Sequence, residues 1–351
     1  MPVNAGARPR RIALIGCGWA GLRHARGYIG AGAELRWLID TDAERAEGLR
    51  RELGAAGATQ VGTDYREALR DPATDAVDIC LPHDLHAPIA IEATGAGKHV
   101  LCEKPLAATL EEADRMIAAA GRAGVVLMVA ENVRFDPVFG KVGELLRDGV
   151  IGMPALVQLA RECYLRASFM RDRPWFLDAR AAAGGIMMSG GVHDFSLLLS
   201  LLGEVESVHA LRAPQRFAEM QGDDTSVALV RFRNGAIGTL VESFLMKSLT
   251  TAAGPEIHTL RIDGDLGSLT VGADRRIRLF SERADYQPGG GLVAHEFHIP
   301  EADTFALEIE HFLAAIETGV EPLTSGRSQR AALACVLAAY RSMETGQPVP
   351  L

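Results

Sequence analysis

The strongest constraint in this chain is RIALIGCGWAG, an apolar strand-like run that passes directly into Gly16, Gly18 and Gly21. Glycines at that spacing between a strand and a helix let the chain turn tightly and let a ligand approach bare backbone. The helix that follows offers free N–H groups and the positive end of its dipole, which suits a phosphate. The next strand-like run, ELRWLI, leads to Asp40, 19 residues beyond the last glycine (40 − 21). An acidic residue about 20 residues on is placed to bind the 2′-hydroxyl of a dinucleotide ribose. The pattern predicts an NAD-binding Rossmann unit with Gly16, Gly18, Trp19, Ala20, Gly21 and Asp40 at the cofactor. A carboxylate at position 40 repels a 2′-phosphate and so favours NAD, while Arg45, five residues later, keeps NADP open.

Beyond this point short apolar runs keep alternating with helical patterns: AVDICLP, HVLCE and VVLMVA follow, each separated by a helix. Such alternation predicts a doubly wound parallel sheet over residues 1–130. One helix start is marked by a capping box, with Thr109 as N-cap and Glu112 three residues on. After about Glu131 the pattern changes to a helical stretch over Pro137–Gly149 and then to β-rich runs, so residues 131–351 are expected to form a second domain for substrate binding and oligomerisation. Its class is α+β, with an open, mainly antiparallel sheet of about six strands covered on one face by helices. Asn234-Gly235 between two β-rich runs signals a hairpin, and TLRIDGDLGSLTVG a second one. Phe305, Ile309, Phe312, Leu313 and Ile316 form the apolar stripe of the first of two closing helices, the last of which is expected to pack back on the Rossmann domain. YQPGGGLV, from Tyr286 to Val293, reads as a mobile loop.

Composition excludes several classes. With 351 residues, 48% hydrophobic and 23% charged, the chain has the make-up of a folded two-domain protein. A formal net charge of −9 provides no basic field for nucleic acid or anionic lipid, and no apolar run reaches membrane-spanning length. Five cysteines without a CxxC pair read as reduced core residues, and the polar start MPVNAGARPRR carries no apolar signal segment. A cytoplasmic location is expected.

Taken with GCGWAG and Asp40, the segments LPHDLHAPIA, Glu103-Lys104-Pro105 and GGIMMSGGVHDF resemble the Gfo/Idh/MocA family of oxidoreductases over nearly the whole chain. The resemblance implies pyridine-nucleotide redox chemistry on a sugar, inositol or related polyol. It implies that Lys104 lies by the nicotinamide and substrate with Glu103 and Pro105 positioning it, and that Leu81, Pro82 and His83 form the strand-end turn beside the nicotinamide ribose, with His86 just downstream in the next helix at the cofactor. A lysine there acts either as an acid/base of lowered pKa or as a hydrogen-bond donor to the reacting oxygen. His83 and His86 without a third ligand predict no metal.

Around His193, the residues Ser189, His193, Ser196 and Ser200 share one helical face, opposite Phe195, Leu198, Leu199 and Leu202. The family carries an Asp four residues before this His, where Ser189 stands here. A serine can hydrogen-bond a substrate but cannot take a proton at neutral pH. Asp194, about 100° round the helix, is no obvious substitute. Lys104 and His193 are therefore the expected catalytic pair, with Ser189, Arg134, Arg161, Tyr164 and Trp175 as substrate contacts and a homodimer or homotetramer formed through the second sheet. Two rivals remain: transient oxidation by tightly held NAD that enables elimination or glycoside cleavage, and a non-catalytic cofactor-sensing module.

Overall fold

The computed structural model describes residues 10–55, 59–247, 257–287 and 293–351. Their contacts divide the chain into two units: residues through Asn132 together with Asp303–Gln329, and Val133–Ala302 together with Arg330–Leu351.

The first unit is built on β1 (Arg11–Ile15), α1 (Trp19–Gly30), β2 (Glu34–Ile39), α2 (Ala43–Glu52), β3 (Gln60–Gly62), α3 (Tyr65–Arg70), β4 (Ala76–Ile79), α4 (His86–Gly95), β5 (His99–Glu103), α5 (Leu110–Ala123) and β6 (Leu127–Ala130). The six strands pair in the order 3-2-1-4-5-6, all parallel. Strands covered on both faces must be apolar throughout, and Ile12, Ala13, Leu14, Val77, Ile79, Val100 and Leu101 are all sealed from solvent. Asp78 breaks this rule in the middle of β4 and is equally buried. β3 and α3 were absent from the expected alternation; QVG is too short to carry a period. The Thr109 box closes as expected, with its Oγ accepting from Glu112 N–H at 3.2 Å and Glu112 accepting in turn from Ala108 N–H. α10 (Thr304–Thr318) packs on α1 through Ile309 and Phe312, which are fully buried.

The second unit holds α6 (Pro137–Arg147), β7 (Pro154–Glu162), α7 (Arg166–Arg171), α8 (Ile186–Ser189), α9 (Gly191–Leu202), β8 (Val205–Arg212), β9 (Thr225–Phe232), β10 (Ile237–Ser243), β11 (Ile257–Gly264), β12 (Gly267–Val271), β13 (Ile277–Ser281), β14 (Ala294–Phe297), most of α11 (Gly326–Thr345) and β15 (Val349–Pro350). Its sheet has nine strands among the described residues, in the order 14-13-12-11-7-10-9-8-15. The expected six were too few; the sheet is mainly antiparallel, as expected, with one parallel pair, β7 and β10, from Leu156 opposite Ile237 to Glu162 opposite Ser243. That pairing joins segments some 80 residues apart in sequence, which local patterns cannot display, while β14 and the two-residue β15 are too short to announce themselves.

Both expected hairpins form. In the first, Gly235 has φ +91° and Asn234 does not share the left-handed region, so the loop is a longer glycine-terminated turn, closed by Gly235 N–H to Phe232 O at 3.0 Å. β9 alternates buried and exposed residues; α8 packs on β9, and α9 on β7 and β10. The opposite face stays open, with Leu211, Leu229 and Ile237 exposed at 65%, 55% and 48%. All five cysteines are unpaired. The glycine-rich part of Tyr286–Val293 lies outside the described residues. No helix among the described residues is long and apolar enough to cross a membrane.

Candidate active site

In the first unit the residues singled out from the sequence gather at the C-terminal ends of β1, β2, β4 and β5, where the strand order reverses on either side of β1. Open α/β sheets bind ligands at that switch point. Gly16 takes φ +99° and lies so close to the Cys80 carbonyl that a Cβ would stand 2.1 Å from its oxygen. Gly21 lies on Gly16 in the same way, at 2.0 Å from its carbonyl oxygen. Gly18 differs, since no protein atom lies within 4 Å of the position a Cβ would take. It is the exposed N-cap of α1 and has no side-chain cap. The first and third glycines thus serve the fold, and the second leaves open space in front of free N–H groups, which fits a pyrophosphate. Trp19 is the exposed first residue of α1, edge-on to Phe305 and covered by the Arg23 guanidinium 3.7 Å from its ring.

Asp40 accepts from Cys17 N–H and Asp42 N–H, both at 3.0 Å, which locks the end of β2 to the glycine loop. Its oxygens retain lone pairs for ribose hydroxyls. Arg45 stands 3.7 Å away, so its charge is turned toward Asp40 and Asp42. Burial and the neighbouring Asp40 charge push the Cys17 thiol up to about 12, leaving it an inert thiol in this turn.

At the end of β4, Leu81 and Pro82 are half-buried and His83 is buried beside His86. His86 is a fully buried strut: Nδ1 lies 2.8 Å from Pro105 O and Nε2 2.9 Å from Leu81 O, tying the turn after β4 to the turn after β5. It therefore supports the site from beneath. The Lys104–Pro105 peptide is cis. Glu103 accepts from the Lys104 N–H at 3.0 Å, and Lys104 itself is half-buried.

In the second unit, the expected single helix from Ser189 to Leu202 is divided. α8 ends at Ser189 and α9 begins at Gly191, so Ser189 and His193 sit on successive segments. Their position is set by a latch that sequence reading missed. Tyr340 Oη donates to Asp223 at 2.7 Å and accepts from the N–H groups of Gly185 and Met188, while Asp223 accepts from Met187 N–H. Ser189 is buried and His193 half-buried. Arg134 reaches the Ser196 carbonyl at 3.4 Å. Trp175 packs on Phe176, part of an aromatic cluster with Phe169, Phe217 and Phe244. Lys247 lies 5.8 Å from the Tyr164 ring.

Arg161, expected as a substrate contact, is engaged within the protein. Its side chain is buried, and Nε and Nη2 both donate to Asp194, at 3.1 and 2.6 Å. His258 Nε2 stands 3.0 Å from the same oxygen. Burial alone would raise the Asp194 carboxyl, but Arg161 and His258 outweigh it and hold it well below the ordinary carboxylate range. Glu242, also fully buried, is driven the other way by burial and by the Asp194 charge, and keeps its proton. Only the 3.6 spacing, which put Asp194 on the covered side of α9, hinted at this cluster.

These features agree with known proteins. Residues 10–131 match an oxidoreductase family with an NAD-binding Rossmann fold, and residues 143–351 match that family's C-terminal alpha/beta domain. The chain belongs to the Gfo/Idh/MocA oxidoreductase family. It is 29% identical to myo-inositol 2-dehydrogenase of Thermotoga maritima, over 97% of this chain and 98% of that one. It is 30% identical to 1,5-anhydro-D-fructose reductase of Ensifer adhaerens, over 96% and 97%. A solved levoglucosan dehydrogenase in complex with NADH and levoglucosan superposes with a TM-score of 0.85 at 25% identity, over 98% of this chain and 99% of that one. The Gfo/Idh/MocA chain is thus an NAD-binding oxidoreductase, and its glycine loop and Asp40 are the groups that fit the dinucleotide.

Two outcomes follow. Gly18→Ala should leave the melting temperature within about 2 °C of wild type yet weaken NADH binding about tenfold in calorimetry, whereas Gly21→Ala should cost about 1–3 kcal/mol in stability because backbone must move. Glu242 has a folded pKa above its unfolded value near 4.5, so its contribution to stability is complete below that pH and is lost as pH rises toward the folded pKa. Glu242→Gln cannot ionise, and the stability difference in its favour should grow as pH rises above about 5, by at most about 1.4 kcal/mol per unit, until the folded pKa is reached, in melting curves.

Proposed function

We propose that this oxidoreductase transfers a hydride between NAD and a hydroxyl-bearing carbon of a sugar, inositol or related polyol. The observation that carries the reading is a half-buried lysine, Lys104, on the same sheet edge as the glycine loop and Asp40, with its backbone tied to Glu103. NAD, when bound, supplies the hydride acceptor. Lys104 then donates a hydrogen bond to the reacting oxygen, and His193 takes or returns the carbinol proton. Ser189 binds a hydroxyl without exchanging protons. Arg134, Tyr164 and Trp175 are assigned to substrate contact, and Arg161 to holding Asp194 and with it the first turn of α9. The five unpaired cysteines suit a reducing compartment, which favours the cytoplasm.

Assembly is part of the same proposal. Leu211, Val227, Leu229 and Ile237 form exposed apolar positions on neighbouring strands of one sheet face, with Leu211 opposite Val227 and Ile237 opposite Arg231. An exposed apolar face of this kind suits a second copy, as a dimer or tetramer.

The reaction is tested by incubating the protein with NAD and inositols, levoglucosan or aldoses while following nicotinamide absorbance and products by mass spectrometry. Net NADH with an oxidised product is expected; product without net NADH would replace dehydrogenation by transient oxidation. Lys104→Met and His193→Ala should each lower kcat by about 100-fold or more while NADH affinity stays within about threefold. Full turnover in either variant would remove that residue from the mechanism. Leu229→Asp with Ile237→Asp should shift the molar mass in light scattering toward a single chain; an unchanged mass would move the interface elsewhere.

A further inference from the structure

Beneath the Lys104 turn lies a sealed group of ionisable side chains that the proposed reaction does not use. His24 is fully buried in α1, three residues past Gly21, and its Nδ1 lies 2.8 Å from Asp78 Oδ2 in β4. Its Nε2 faces Glu103 Oε1 from β5 at 3.4 Å and Glu308 Oε1 from α10 at 3.6 Å. Cys80 Sγ is 3.4 Å from Asp78 Oδ1 and 3.5 Å from His24 Nδ1. Tyr28 from α1 and Glu131 at the end of β6 are buried in the same neighbourhood, and the Phe305 ring covers His24 at 5.7 Å. The other oxygen of Glu103, Oε2, accepts the Lys104 N–H.

We propose that His24 is a positioning residue for Lys104: anchored on Asp78, it holds the Glu103 carboxylate, and Glu103 holds the Lys104 turn. The proposal rests on the reading of Lys104 as the residue at the reacting oxygen. The ring is hydrogen-bonded through Nδ1 to an acid in a central strand, and its Nε2, which makes no hydrogen bond, lies within ion-pair distance of an acid at a strand end, both reached from a helix that belongs to neither strand. Burial opposes charge on the ring, but the Asp78 carboxylate overcomes it, so His24 carries a proton. Burial and the facing charges of Glu103, Glu131 and Asp78 make Glu308 keep its own proton. The two ring nitrogens of His24 thus stand against Asp78 on one side and Glu103 and Glu308 on the other.

His24, Asp78 and Cys80 are also residue types that ligate metals. Two ligands about 2.0 Å from a tetrahedral zinc stand about 3.3 Å apart, however, and the 2.8 Å between Nδ1 and Oδ2 is a hydrogen-bond distance.

The chain has four lysines, Lys98, Lys104, Lys141 and Lys247, which makes a direct reading of Lys104 feasible. Reductive ¹³C-methylation of the full-length, cofactor-free protein, with Lys104 assigned by Lys104→Arg, gives its titration curve by NMR. In His24→Gln the midpoint for Lys104 is expected to move by about 0.5 pH unit or more, because Glu103 loses its His24 contact and the Lys104 turn shifts with it. Glu103→Gln should give a similar shift, and the double variant no more than the larger of the two. Asp78→Asn, which leaves the imidazole present but removes the charge that anchors it, serves if His24→Gln does not fold. A folded His24→Gln or Asp78→Asn protein in which the Lys104 midpoint moves by less than about 0.5 unit would overturn the proposal, as would additive shifts or a stoichiometric metal in elemental analysis. This readout needs no substrate: a moved midpoint with a fully active Lys104→Met would instead sink the catalytic reading and leave the clamp standing.

Discussion

The backbone contact of Gly21 on Gly16 and of Gly16 on the Cys80 carbonyl is the constraint on which the Rossmann unit depends. It brings β1, the first turn of α1 and the end of β4 to a separation that only bare peptide groups allow. Three consequences follow from that approach. The N-terminus of α1 opens toward solvent at Gly18, the end of β2 is captured through Asp40 and Cys17 N–H, and His24 is delivered against Asp78 one turn further along the helix. A single steric feature thus sets both the open N-terminus of α1 and the charged group beside the Lys104 turn. A bulkier residue at either contact would separate the two together.

How much of this was legible depended on whether the information was local. The parallel sheet was readable because buried strands must be apolar on both faces and because their helices recur between them. The glycine loop was readable because each glycine answers to a short-range need. The Thr109 box and the Asn234-Gly235 hairpin were local too, although the hairpin's turn differs because only Gly235 enters the left-handed region. What escaped was non-local. The parallel pairing of β7 with β10 joins segments separated by α7, α8, α9, β8 and β9, and no periodicity in either strand specifies its neighbour. The edge strand β15 owes its existence to β8, not to its own two residues.

The buried charges show the same limit in chemical form. A histidine three residues after a glycine, an aspartate within a strand-like run and an arginine ending another look ordinary by residue type; only three-dimensional proximity makes them a network. Arg161 illustrates the consequence. Read alone, an arginine near a substrate domain suggests contact with polar ligand. Its fork is spent on Asp194, which shares its surroundings with His258 and the protonated Glu242. Ser189, expected where the family carries an Asp, is buried at the end of α8, one segment before the His193 of α9.

Neither network is an economical way to gain stability. Removing ions from water costs several kcal/mol each, and a well-packed apolar group of equal size is often as stabilising or more so. Three carboxyl groups around His24 and two around Arg161 are therefore better understood as devices that select one arrangement. Each charged partner makes every displaced geometry costly, because displacement would leave a buried charge unpaired. Both are found directly behind a residue assigned to chemistry: Glu103 precedes Lys104, and Asp194 follows His193. A flexible ammonium and a half-buried imidazole need firm backbones to act on a substrate oxygen, since misplacement by 1 Å can cost a hundredfold in rate. Packing alone holds strands and helices; hydrogen-bonded charge fixes the individual turns from which the reacting side chains project.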